Sequence, residues 1–198
     1  MRGAATYTMI AASILAMPAF AGMQTAVDLC LDTSLDIPAR AEAFEAHGWM
    51  TENSVKSAES LFRDAVIIST VSATDQTSWP NAEKRAEALA VPFGKRLSAR
   101  KVHVLRTDSS AIVLQRNGQG LQTCLYVGNE AGLSIIADVL DGSVLRTIGE
   151  VTRIRGDGPK SSISSHHISP EAAAEFAKPL NYTTAFSIVL DRQPGDLP

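Results

Sequence analysis

Cysteine is scarce in this chain of 198 residues: there are two, Cys30 and Cys124. They form no Cys-x-x-Cys pair, so a thioredoxin-like redox motif has no basis. There is no Gly-x-Ser-x-Gly nucleophile elbow and no Gly-x4-Gly-Lys-Ser/Thr phosphate loop. A long apolar run is also missing. The stretch Ile10 to Met17 is far short of the roughly 20 residues that a membrane-spanning helix needs. Nor does one sign of charge dominate, because 18 basic residues stand against 21 acidic ones, a formal net charge of −3. Such a balance gives no general reason to expect nucleic acid as a partner.

What is present begins with an address. Arg2, the short apolar core Ile10 to Met17 and the small-residue triplet Ala19-Phe20-Ala21 have the order of a secretory leader, residues 1–21, with Gly22 as the expected mature start. No cysteine follows the cleavage site, which argues against a lipid-anchored start, and Arg2 stands alone, which argues against twin-arginine export. A periplasmic or secreted location follows as an expectation, with no membrane span in the mature chain. In an oxidising compartment two cysteines are most simply one disulfide, Cys30–Cys124, closing a loop on the order of 95 residues.

Secondary structure is expected to be α+β: N-terminal helices packed on a mainly antiparallel sheet of about five strands, one domain over 22–192, with a disordered tail at 193–198. Ala26–Leu31 is a short apolar run suited to a strand or an extended lead-in. Asp36, Pro38 and Gly48 have the cap, first-turn and stop positions of a helix with Ile37, Ala41 and Phe44 inward. A second helix from about Asn53 places Val55, Ala58, Phe62, Ala65 and Ile68 inward and keeps Lys56, Glu59, Arg63 and Asp64 wet. A third is capped by Ser78, turns Ala82, Ala86, Leu89 and Ala90 inward, and is stopped or kinked by Pro92.

From Lys101 the period becomes alternating. Val102, Val104 and Arg106 share one face, and the stretch Ala111–Gly128 is organised around Asn117-Gly118, a pair suited to a type I′ turn. With those two residues as the loop, Leu114 opposes Leu121, Ile112 opposes Thr123, and Cys124 points away from that more apolar side. A helix over Ala131–Leu140 follows, then a hairpin around Gly156-Asp157-Gly158-Pro159, a short helix after Ser169-Pro170, and a last strand with Phe186, Ile188 and Leu190 inward.

Few residues point to chemistry. His166 and His167 project to opposite faces of a strand and so cannot share one metal ion, and no metal or other cofactor is expected. Ser161, Ser162, Ser164 and Ser165 beside those histidines are the material for the alternative function, a small hydrolase using residues 161–167 with a distant acid such as Asp157. GDGPKSS at 156–162 is explained by a turn. His47 suits the end of a helix, and His103 a half-buried strand position.

Charge is uneven along the chain. From Gly22 to Pro80 it sums to about −6 and from Asn81 to Arg106 to about +5. Lys95, Arg96, Arg100 and Lys101 form a basic junction between the third helix and the sheet, able to receive an anionic envelope component or an acidic protein surface. Alternatively these charges simply offset the acidic N-terminal part. The leading expectation is an exported, non-catalytic binding or accessory protein of the cell envelope.

Overall fold

The computed structural model describes residues 20–71, 76–129, 136, 144–148, 151–158 and 161–190. All but two residues of the expected leader, and the whole of the expected tail, lie outside these. The class is α+β, with one sheet of eight strands, all neighbours antiparallel, rather than about five. The strands are β1 (Met50–Thr51), β2 (Val102–Arg106), β3 (Ser110–Arg116), β4 (Gln122–Gly128), β5 (Val144–Ile148), β6 (Val151–Gly158), β7 (Ser161–Ile168) and β8 (Thr184–Leu190). Their spatial order is β1-β2-β3-β4-β8-β7-β6-β5. Two meanders are thus joined by the last strand, which enters between β4 and β7.

Helices cover both faces. On one side lie α1 (Phe20–Leu31) and α2 (Ile37–Ala46); on the other lie α3 (Val55–Thr70), α4 (Trp79–Ser98) and the short α5 (Pro170–Ala174). Because side chains alternate along a strand, each central strand feeds both cores. Ile112 and Leu114 join Met23, Val27, Phe44 and Trp49 under α1 and α2, while Ala111 and Val113 join Leu61, Ile68 and Phe93 under α3 and α4. β8 divides in the same way: Phe186, Ile188 and Leu190 point to the α1–α2 side and Ala185 to the other.

Several expectations hold for stated reasons. Asp36 accepts from Ala39 N, Pro38 sits in the first turn of α2, and Gly48 leaves it at φ +84°. His47 caps the end of α2, its ring bonded to Ala43 O. Cys30 and Cys124 are joined, with Cα atoms 5.9 Å apart, tying α1 to β4. The fully buried Arg40 lies beside this bridge; its Nη2 donates to Asp32 O and Leu35 O, carbonyls just past the end of α1. Burial works against its charge, and Asp32 and Asp36 work for it.

Other expectations are corrected. Residues 26–31 are helical, as the second half of α1. The β3–β4 loop is longer than Asn117-Gly118. Asn117 Oδ1 accepts from Gln119 N and Leu121 N, and Gly120, not Gly118, takes the left-handed conformation at φ +82°. The register therefore pairs Leu114 with Cys124 and Ile112 with Tyr126, a slip of three residues. An odd slip exchanges faces, so Cys124 shares the side of Ile112 and Leu114.

Pro92 does not end α4, which runs on to Ser98. Phe93 beyond it stacks on Phe62 at 4.2 Å, and this packing on α3 offsets the lost backbone bond. Ser78 makes no side-chain cap, because a 3-10 turn at Gln76–Ser78 leads into α4. Leu89 is exposed rather than inward. The residues of the expected helix 131–140 lie outside the described set except Ile136, which is helical and buried. β6 extends through Gly156, Asp157 and Gly158, so the expected hairpin closes nearer Ser161.

Candidate functional site

α4 carries the basic junction at its C-terminal end. Lys95 and Arg96 lie in the last turn, Arg100 follows the cap at φ +54°, and Lys101 leads into β2. Arg96 Nη2 donates to Arg116 O at 3.1 Å, which holds the helix end against β3. None of the four makes an ion pair among the described residues, where Arg63, Arg106 and Lys178 are the cations that do. The acidic N-terminal segment therefore does not neutralise them by direct contact.

The junction continues along the outer face of α4. With Ala82, Ala86, Phe93 and Gly94 buried, helical spacing turns two rows outward: Lys84, Ala88, Val91, Lys95 and Arg85, Leu89, Pro92, Arg96. Leu89 and Val91 are 41% and 57% exposed, between cations on either side. The two carboxylates of α4 are directed elsewhere. Glu83 accepts from Arg63 at 3.0 Å and Glu87 from Lys178 at 2.6 Å.

At the opposite end of β2 is an arrangement that periodicity does not reveal. Arg63 and Asp64, expected on the wet side of α3, are buried. α4 packs on one side of them and the segment before β8 reaches over the other. Arg63 Nη1 donates to Asp64 Oδ1 at 2.9 Å, and its Nη2 to Glu83 Oε1 and Lys178 O. Asp64 Oδ2 accepts from Asn181 N and Asn181 Nδ2 at 2.9 and 3.1 Å. Burial pushes the Asp64 carboxyl above the usual range, against the pull of its Asn181 and Arg63 partners.

Next to it, Glu52 Oε1 accepts from Ser54 N and Oε2 from Ser57 Oγ at 2.8 Å, and Oε2 also makes an ion pair with Arg106 Nε at 3.3 Å. Glu52 thus occupies the start of α3 and pairs with the Arg106 guanidinium. A cleft of about 510 Å³ opens beside this pair, lined by Ser54, Lys56, Ser57, Ser60, Leu61, Arg106, Asn181 and Tyr182. The Tyr182 hydroxyl is raised above its ordinary value, first by burial and then by the charge of Asp64. The one sequence signal for this site was Arg63-Asp64 itself, two charges in a helix whose neighbours on either side, Leu61, Phe62, Ala65 and Val66, are apolar.

Of the serine and histidine residues of β7, Ser165 and His167 bond to β8. Ser165 Oγ donates to Ala185 O at 3.4 Å, and His167 Nδ1 pairs with Thr184 Oγ1 at 2.8 Å. Burial lowers the His167 pKa. His166 is buried and His103 half-buried, the latter as expected.

Together these features define a three-layer domain with a disulfide-tied helical layer, an outward cationic helix and a small polar cleft. The chain matches no family model, no curated protein and no solved structure.

Proposed function

We propose that this is an exported, non-catalytic binding protein of the cell envelope, docking on an anionic membrane surface through the outer face of α4 and the basic junction. One observation supports this most: the acids of α4 are tied up in pairs with Arg63 and Lys178. Among the described residues, Lys84, Arg85, Lys95, Arg96, Arg100 and Lys101 are then left without ion pairs around exposed Leu89 and Val91. Cations flanking apolar side chains on a helix suit the interface of a bilayer, where the apolar tips enter and the charges meet headgroups. A soluble polyanion would use the charges but give no role to Leu89 and Val91. No helix among the described residues is long and apolar enough to cross a membrane.

Each cation near an anionic surface contributes about 1 kcal/mol. Reversing Lys95, Arg96, Arg100 and Lys101 to glutamate is therefore expected to weaken binding to phosphatidylglycerol vesicles by more than about a hundredfold in co-sedimentation. Neutral phosphatidylcholine vesicles should bind neither form. Equal binding of wild type to both vesicle types, or retention by the reversed variant, would contradict the proposal.

A further inference from the structure

The cleft at the other end of β2 has an imbalance of hydrogen-bonding groups. Its lining holds two cations, Lys56 and Arg106, with serine, asparagine and tyrosine side chains, and no acid. The two carboxylates behind it are already engaged: both oxygens of Glu52 and both of Asp64 accept hydrogen bonds from the protein. The Arg106 side chain is 51% exposed, and its Nε makes an ion pair with Glu52 Oε2 at 3.3 Å. Its terminal nitrogens, the ammonium of Lys56 and the hydroxyl of Tyr182 make no hydrogen bond among the described residues. Leu61 and the Tyr182 ring supply the apolar part of the wall.

We propose that this cleft is a binding site for a small organic oxyanion, whose carboxylate or phosphate sits on the Arg106 fork and Lys56 while its apolar body lies against Leu61 and Tyr182. A guanidinium paired with Glu52 through Nε can present its two terminal amino groups as a fork matched to two oxygens of such an anion, and lysine adds a point charge. The volume lies within the range of small-ligand clefts. This site is separate from the α4 face, and neither proposal depends on the other.

The probes are benzoate, phenyl phosphate and inorganic phosphate, titrated into the ¹⁵N-labelled full-length mature protein. Saturable shifts are expected at the amides of Ser54, Ser57, Asn181 and Tyr182. Arg106→Ala should weaken binding at least tenfold and Arg106→Lys by less. Lys56→Ala, at an exposed position that cannot disturb the core, should weaken it severalfold. Tighter binding of phenyl phosphate than of benzoate assigns the phosphate as the head group; the reverse order assigns the carboxylate. Absence of saturable shifts with all three probes, or shifts unaffected by Lys56→Ala and Arg106→Ala together, would overturn the site. Inorganic phosphate binding as tightly as phenyl phosphate would overturn the part given to Leu61 and Tyr182.

Discussion

Replacing Asp64 by alanine takes away the acceptor of three donors: Arg63 Nη1, Asn181 N and Asn181 Nδ2. Asp64 is 0% exposed, so water does not reach it freely to fill the gap. Breaking a buried ion pair on one side costs about 3–5 kcal/mol. Two features place the expected loss near the lower end, about 3 kcal/mol. Arg63 keeps Glu83 and Lys178 O as partners, and Asn181 lies near enough to solvent to hydrate. In urea, with a slope of roughly 2 kcal/mol per molar, the midpoint should fall by about 1.5 M. Asp64→Asn should cost less, about 1–2 kcal/mol, because its carbonyl still accepts while its amide faces one of the existing donors.

The pH dependence has a definite sign. The folded-state value is raised, so the folded protein holds this proton more tightly than the unfolded chain. The contribution of Asp64 is then fully favourable below the ordinary value of 3.8 and declines as pH rises through the raised one. Both variants should lose that slope. A stability for Asp64→Ala within about 0.5 kcal/mol of wild type would show that the carboxylate does not hold α3 to the segment before β8.

Serine at both Cys30 and Cys124 should lower stability by up to about 4–5 kcal/mol for a bridge spanning 94 positions; a loss under about 1 kcal/mol in equilibrium unfolding would mean that the bridge adds little. Gly120→Ala should cost about 1 kcal/mol because of its positive φ, whereas Gly118→Ala, where nothing lies within 4 Å and φ is ordinary, should be neutral; the opposite order would restore an Asn117-Gly118 turn. His167 is depressed by burial, so its protonation favours the unfolded chain. Stability should fall as pH drops below about 6.5, and His167→Gln should flatten this limb of a pH-resolved thermal melt.

Local chemistry made parts of this fold legible and left others hidden. The limits of α2 follow from Asp36, Pro38 and Gly48, whose preferences are set within a few residues. The pairing of β3 with β4 was also visible, but its register was not. It depends on which residue of a glycine-containing loop takes the positive φ, and Asn117 favours the longer loop by bonding Gln119 and Leu121. β5 and the two-residue β1 lack a strong alternating pattern and exist as strands through their neighbours. The same holds for α4 past Pro92, where contact with α3 overrides the local cost of proline. The basic junction was evident as a run of charge. The cleft was not, since burial of Arg63 and Asp64 needs α4 and residues 178–182, more than 110 positions away, to be folded over them.

The proposed function requires that the chain leave the cytosol, where the bond between α1 and β4 can form and persist outside it. The mass of the protein isolated from its native cells, measured without reduction and after denaturation in a thiol-alkylating reagent, tests this directly. The predicted result is a chain starting at Gly22 with both cysteines unmodified by the reagent. A chain that retains residues 1–21, or one carrying alkyl groups on Cys30 and Cys124, would contradict it.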